Sequence, residues 1–393
     1  MNILFLTPRL PFPPNRGDRV RTFNFARVLS RRHSLYLLSF VQSQDEVQYV
    51  DHLKDYFEDI DIVLLPAWQS YLSMALHCFS SEPLQVSFYR SAGMQARVDR
   101  VLADKCFDVI YVFHLRMAPY VSGRKGLYKI LDLTDAVSIF MRRMLRHRPF
   151  YLKPILYLEW LRVRRYEPYV GRKFDECWIV SDADKQAIHE NTSLNITVIP
   201  QAVDVEYFSS DESEDDGTVL LFVGYMGVES VCAITYFYET VFPLIRKRFP
   251  AIRFYVVGAN SPPEISQLAR DKSVIVTGFV EDLRPYYNKA AVLVAPMRFV
   301  AGMQTKILEA MAMEVPVVTT AWGNEGIDAR HGEEIFVADD APEFANRVIQ
   351  LLNDLRLRQK MGKKAREFVK NRFTWDLAAR RMEEIRRIIS KSR

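Results

Sequence analysis

Short apolar runs recur along the chain, and helical patterns separate most of them. In the first half the runs fall at residues 2–7, 34–40, 60–65, 108–113, 128–133, 176–180 and 196–199. The helical spacing is plain after the first run, where Val20, Phe23, Ala26 and Leu29 share a face. A run of Ser, Asp and Glu, SSDESEDDG at 209–217, then interrupts the pattern and cannot bury a core. A second alternation begins after it, with runs at 219–224, 252–258, 274–278, 292–295, 315–319 and 335–337. Residues 351–393 are helical in pattern and highly charged. Strands alternating with helices predict parallel, doubly wound sheets. The expected fold is α/β: two Rossmann-like domains of similar size with a cleft between them.

Ligands on such sheets bind beyond the carboxyl ends of the strands. His114 directly follows one apolar run, and Asp132 and Asp135 sit at the end of the next. Gly17 stands in a Pro/Gly/Asn-rich loop at a helix start, without the GxGxxG spacing of a dinucleotide fingerprint. The stretch 300–320, VAGMQTKILEAMAMEVPVVTT, has the form glycine loop, helix, strand. Its helix start offers free N–H groups to an anion, and Glu309 lies within reach of a ribose. By itself the stretch reads equally well as a buried core helix.

Composition narrows the class. The 393 residues are 49% apolar and 26% charged, an ordinary balance for a globular protein. The four cysteines have no CxxC spacing, which favours a reducing compartment over a zinc site or a disulfide framework. The apolar N-terminal run has no basic region before it and reads as a strand rather than a signal peptide. No stretch reaches the roughly 18–20 apolar residues of a membrane span. The net charge of +5 is uneven: residues 141–173 carry ten Arg/Lys against Glu159 and Glu167, so that segment is +8 and the remainder −3. Trp160, Tyr151, Tyr157 and several leucines lie among those arginines, the composition of a helix resting on an anionic membrane face. Arg162, Arg164 and Arg165 are its candidate contacts. The aromatic stretch 64–88 reads equally well as domain packing or as a second such surface. This charge pattern predicts an anionic surface as partner, and no nucleic acid.

Several stretches in order resemble glycosyltransferase family 4, and more closely the bacterial sugar transferases found with exopolysaccharide and PEP-CTERM loci. They are TPRLPFPPNRGDRVRTFNFARVLSRRH, ILDLTDAVS, VSDAD, VIPQAVDVEYF, FVGYM, FYVVGA, VTGFVEDLRPYYNKAAVLVAP and KILEAMAMEVPVVTT. The resemblance implies a GT-B fold. Residues 1–200 would form the acceptor-binding domain, 201–217 a linker, 218–372 the nucleotide-sugar-binding domain, and 373–393 a helix returning to the first domain. It implies that Gly302, Met303 and Gln304 present N–H groups to the donor diphosphate, with Thr305 adding its hydroxyl, and that Glu309 binds the ribose. Gly224 and Tyr225 fall where a loop approaches the phosphates. Phe279 and Val280 fall where the base is held, Gly17 in the first-domain glycine loop, and His114 near the transferred sugar. Lys306 or Arg298 would supply the cation for the diphosphate.

The chain departs from the pattern in places. Ala301 replaces the first glutamate of E-x7-E, Gln201-Ala202 the usual Asn-Gly, Ser230-Val231 a Pro-Asn, and Glu314 an expected glycine. The implied activity is retaining, metal-independent transfer from a UDP- or GDP-linked sugar to a lipid-linked or glycan acceptor, without a bound cofactor. It would take place in the cytoplasm, at the inner face of the membrane. The departures admit a second reading, a binding or partner subunit on the same shell. An epimerase on this fold and an NAD-dependent oxidoreductase fit the motifs less well.

Overall fold

The computed structural model describes residues 1–189, 194–210 and 217–392. Residues 211–216 of the SSDESEDDG run lie outside it. The chain divides into two compact units, Met1–Pro200 with Ala378–Arg393, and Gln201–Leu377.

Unit 1 is built on a sheet of β1 (Asn2–Thr7), β2 (Ser34–Val41), β3 (Asp59–Leu64), β4 (Val109–Phe113), β5 (Tyr128–Thr134), β6 (Glu176–Ile179) and β7 (Ile196–Val198). All pairings are parallel, in the order β3-β2-β1-β4-β5-β6-β7. Every residue of β4 is buried, as are five of the six in β1, so these central strands read as unbroken apolar runs. The order reverses between β1 and β4, which opens a crevice at their carboxyl ends.

Beneath that crevice, fully buried Arg21 donates to Asp132 at 2.7 Å and to the carbonyls of Ile199 and Pro200. Tyr111 also donates to Asp132, at 2.6 Å. Burying this ion pair is costly in itself, and the surrounding hydrogen bonds offset much of the desolvation. Asp132 is therefore a structural anchor, not a ligand group. The C-terminal helix Trp375–Ser392 contributes Arg381, whose guanidinium forks onto Glu176 at 2.8 and 3.0 Å, and Glu383, which meets His33 at 3.0 Å.

Unit 2 repeats the plan with β8 (Val219–Val223), β9 (Arg253–Val257), β10 (Val274–Gly278), β11 (Val292–Ala295), β12 (Val317–Thr319) and β13 (Phe336–Val337). They are parallel in the order β10-β9-β8-β11-β12-β13, with the switch between β8 and β11. The helical run Val228–Arg246 is long and apolar enough to span a bilayer by length and composition alone. Its Ala233, Ile234, Phe237, Val241, Phe242 and Ile245 instead belong to the core of unit 2. The run widens to a π-helical turn at Phe237–Val241, just before Pro243, whose ring displaces the regular hydrogen bond.

Residues 201–210 fold with unit 2 rather than forming a linker. Val203 bridges to Thr374, and Arg366 donates to the carbonyls of Val205 and Phe208. This tie needs an arginine far along the chain, which explains why a local reading places these residues with the acidic run.

Candidate functional site

The switch point of unit 2 gathers most of the donor-side candidates. The strand ends are stepped: Gly224 N donates to the Val257 carbonyl, and Gly258 N to the Gly278 carbonyl, both at 3.0 Å. Gly224 and Gly258 adopt φ of 151° and 147°. A Cβ on Gly258 would lie 1.8 Å from the Gly224 carbonyl oxygen, so glycine is required for the two strand ends to approach. Gly258→Ala is accordingly expected to destabilise unit 2 by about 2–4 kcal/mol. Gly278→Ala, at φ 71° with open space around it, should cost about 1 kcal/mol. Chemical unfolding monitored on unit 2 checks the contrast.

From β11 the chain enters a loop holding Arg298, whose guanidinium stacks 4.3 Å from the Tyr236 ring centroid. Gly302, at φ 66°, then turns the backbone into the Thr305–Ala312 helix. Gln304 occupies the N-cap with no side-chain cap bond, so the first-turn N–H groups have no side-chain acceptor at that position. Met303 is buried; Gln304 and Thr305 are half-buried, as is Ala301 eight residues before Glu309.

Lys306 turns inward, a direction that its helix position alone leaves open. Its ammonium sits 4.4 Å from the Phe222 ring centroid, and its Cε and Nζ lie 3.2 Å from where a Gly224 Cβ would stand. Burial pulls its pKa down to about 8, while Glu229 and Glu309 oppose that shift. Glu309 is also buried, and its Oε2 accepts from the Tyr287 hydroxyl at 2.8 Å. Burial pushes its pKa up to about 7, against the Tyr287 hydrogen bond and the Lys306 charge. An ammonium, a helix start and a hydrogen-bonded carboxylate thus converge at one sheet edge. Such a set can neutralise a diphosphate and bind a pair of hydroxyls.

Tyr225 and Phe279 are exposed on the neighbouring strand-end loops, and Val280 is half-buried beside Phe279. Glu314 adopts φ 59° just past the helix, the backbone conformation that makes a glycine natural there. Gly362 allows the Leu355–Arg372 helix to approach the Glu314 carbonyl, which lies 2.0 Å from where a Cβ would be. Sequence reasoning missed Tyr287, Tyr236 and Glu229. Only Glu229 carried a local signal, its place right after the Gly224 loop and beside the Ser230-Val231 departure.

The remaining candidates lie in unit 1. Gly17 begins the Gly17–Leu29 helix, and nothing lies within 4 Å of where its Cβ would be, so packing does not demand glycine there. His114 directly follows β4 at φ 68°, its N–H donating to the Asp132 carbonyl at 2.7 Å. Its Nδ1 is buried without a hydrogen-bond partner, and burial with the nearby Arg116 and Arg9 charges holds its pKa well below the usual imidazole range. The imidazole is therefore neutral at pH 7.

On the Lys153–Gly171 helix, Arg164 and Arg165 are exposed, Arg164 with its guanidinium 5.3 Å from the Trp160 ring centroid. Arg162 departs from the expected exposed face. It reaches the Cys78 carbonyl and lies 3.5 Å from Glu159, whose Oε1 accepts from Leu84 N at 2.6 Å. These bonds hold the 67–88 segment beside the helix. Both segments then expose large apolar groups: Trp68, Tyr71, Leu76 and Phe79 (99% exposed) on one, Phe150 (83%), Tyr151, Ile155 and Leu158 on the other.

The two doubly wound units constitute the GT-B fold. Sucrose-phosphate synthase of Thermosynechococcus elongatus is similar at TM-score 0.76 and 14% identity, over 100% of both chains. Anabaena HepE in complex with UDP and glucose is similar at TM-score 0.71 and 15% identity, over 98% of both chains. Residues 217–354 match the family model described as glycosyl transferases group 1. The matched residues lie within unit 2, the unit that carries the Lys306–Glu309 site. Among sequence relatives, an "Uncharacterized 44.6 kDa protein in cps region" of Klebsiella pneumoniae is 22% identical over 94% of this chain and 96% of its own. The capsular polysaccharide biosynthesis glycosyltransferase CapM of Staphylococcus aureus is 28% identical over 37% of this chain and 40% of its own.

Proposed function

We propose that the protein is a retaining, family 4 glycosyltransferase moving a sugar from a nucleotide-diphosphate donor to a lipid-linked or glycan acceptor in capsular or related polysaccharide synthesis. The observation that carries this reading is the Lys306 ammonium beside Gly224, one turn from Glu309, at the switch point of unit 2. In this scheme the diphosphate lies over Gly224 and the Gly302–Thr305 helix start, with Lys306 and Arg298 meeting its charge. Glu309 takes the ribose hydroxyls, and Phe279-Val280 borders the base. The acceptor oxygen bonds to the anomeric carbon on the face the diphosphate leaves, and its proton passes to the departing phosphate oxygen. That route needs no carboxylate nucleophile, in keeping with Ala301. Neutral His114 orients a sugar hydroxyl rather than removing a proton.

The test is thermal denaturation of the purified chain with UDP, GDP and their sugars, followed by donor hydrolysis. A ligand at a hundred times its Kd stabilises by about 2.7 kcal/mol. UDP-glucose is the first donor to try, since HepE has been solved with it. Failure of every nucleotide to bind would remove the enzyme reading and leave the partner-subunit one.

The acceptor side of the proposal includes an anionic membrane surface. Its support is charge complementarity, the +8 segment beside two clusters of exposed aromatic and aliphatic side chains. The double variant Arg164→Glu/Arg165→Glu should weaken binding to phosphatidylglycerol vesicles at least about 30-fold, at about 1 kcal/mol per basic residue lost. Arg162 is left intact because it holds Cys78. Unchanged co-sedimentation would make the segment a solvated face.

A further inference from the structure

A turn at residues 204–208 stands against the donor elements of unit 2, and the donor scheme gives it no task. It follows the point where the chain leaves unit 1 at Pro200. The turn closes on itself: Asp204 Oδ1 accepts from the Glu206 and Tyr207 N–H groups at 3.2 Å, and the Phe208 N–H donates to the Asp204 carbonyl at 2.9 Å. Arg366 fixes it from the Leu355–Arg372 helix. One guanidinium nitrogen donates to the Phe208 carbonyl at 2.9 Å and also to the carbonyl of Ala312, the last residue of the helix that carries Lys306 and Glu309. The other donates to the Val205 carbonyl at 3.1 Å. A single planar cation thus joins the turn to the end of the donor helix.

The turn meets the donor elements at two places. Phe208 packs edge-on against the Tyr287 ring, with centroids 6.1 Å apart and planes at 86°. Tyr287 is fully buried and donates to Glu309, so Phe208 supports the group that orients the carboxylate. The Tyr207 hydroxyl donates to Asp282 at 3.4 Å, and its ring centroid lies 4.3 Å from the Arg284 guanidinium, which donates to the same carboxylate at 2.8 and 3.0 Å. Asp282 also accepts from the Arg284 N–H at the start of the Arg284–Lys289 helix, two residues past Val280. This partly exposed ion pair adds little stability by itself, but it fixes where the Phe279-Val280 loop ends. The contacts that hold the Lys306 ammonium, over Phe222 and beside Gly224, come from other elements. The base loop and the ribose carboxylate therefore have one support, and the diphosphate cation another.

We propose that Tyr207, Phe208 and Arg366 are positioning residues of the donor site, which hold the base loop and, through Tyr287, the Glu309 carboxylate in the geometry that a nucleoside diphosphate requires. This rests on unit 2 being the donor side and deepens that reading: the turn sets affinity for the nucleoside half of the donor and leaves the diphosphate half to Lys306 and the helix start. A misplacement of about 1 Å in a binding group is enough to cost about 100-fold in rate.

Calorimetry of the full chain separates the two halves, with UDP or GDP, whichever binds the wild type more tightly, and with inorganic pyrophosphate as the probe of the diphosphate half alone. Phe208→Ala should lower nucleotide affinity at least about tenfold while pyrophosphate affinity stays within about twofold. Phe208→Leu keeps an apolar wall against Tyr287 and should recover most of the loss. Tyr207 is 43% exposed, so Tyr207→Ala leaves folding intact, and nucleotide affinity should fall about threefold with pyrophosphate again unchanged. Arg366→Lys keeps the charge without the planar fork; it should lose nucleotide affinity severalfold, with little further loss when combined with Phe208→Ala, because the arginine acts through the same turn. Equal loss of nucleotide and pyrophosphate affinity in these variants would mean that the turn only stabilises the unit, and would overturn the proposal. So would nucleotide affinity unchanged in Phe208→Ala and Tyr207→Ala, or a wild type that binds nucleotide but not pyrophosphate. A wild type that binds none of these ligands would instead remove the donor reading, and this proposal with it.

Discussion

Glu309→Gln should make the protein more stable and a poorer enzyme. The Glu309 carboxyl has an ordinary pKa of 4.5 and is raised by burial to about 7 in the folded chain. Below pH 4.5 both folded and unfolded states are protonated, and the residue contributes no pH dependence. Between 4.5 and 7 the folded state holds the extra proton, so stability declines as pH rises, and above 7 the full cost is present. Glutamine carries no such cost and can still accept from Tyr287. At pH 8 the variant should therefore exceed the wild type by about 3 kcal/mol at most, with the difference shrinking as the pH is lowered toward 4.5. The donor KM moves the other way. Losing a charged acceptor for the ribose hydroxyls should raise it about 10- to 100-fold. Wild-type donor KM should also rise as pH falls below about 7, and that of the variant should stay flat. Thermal melts across pH and steady-state kinetics read the two effects separately. A variant with lowered stability at pH 8 and unchanged donor KM would remove Glu309 from the donor site.

Lys306→Met is expected to lower the transfer rate about 10²–10³-fold, the range for deleting one preorganised group that meets transition-state charge. Methionine keeps the chain length in its packed course past Phe222 and Gly224 while removing the cation. The ammonium titrates near 8 against an ordinary 10.5, so the wild-type rate should fall as pH rises through about 8. The sign for stability is the reverse of that for Glu309. Between pH 8 and 10.5 the unfolded chain binds the extra proton, wild-type stability rises with pH, and the buried charge costs most below 8. Methionine should thus stabilise the protein at pH 7. Taken together, the two groups predict a bell-shaped profile of kcat/KM for the donor with its maximum between pH 7 and 8, whose limbs belong to the Lys306–Glu309 pair. Steady-state kinetics at low donor concentration across pH test this. A Lys306→Met variant that keeps the wild-type profile would exclude Lys306 from the charge-stabilising role.

Both predictions involve a site that is only half legible in the chain. Its place was legible: the run 292–295, Gly302 and the helix after it announce a loop and helix start at a strand end, because apolar runs and glycines act locally. The partners were not. Tyr287 meets Glu309 from a separate helix, and Tyr236 meets Arg298 across the β8–β11 switch, so strand order and not spacing brings each pair together. Glu314 shows the reverse case. The sequence marks an absent glycine there, and the structure explains the expectation by φ 59°, a strain that glutamate bears in place.

By itself, then, the sequence determined the two sets of parallel strands, the helices between them and the loops at their carboxyl ends. These follow from hydrophobic period and turn chemistry, which neighbouring residues decide. Only the tertiary structure decided which way Lys306 turns, that Arg162 faces Cys78 instead of solvent, that residues 201–210 join unit 2, and that Phe208 packs on Tyr287. Each of these depends on which strand or helix lies alongside, and parallel crossovers place residues a hundred positions apart side by side without any local trace in the chain.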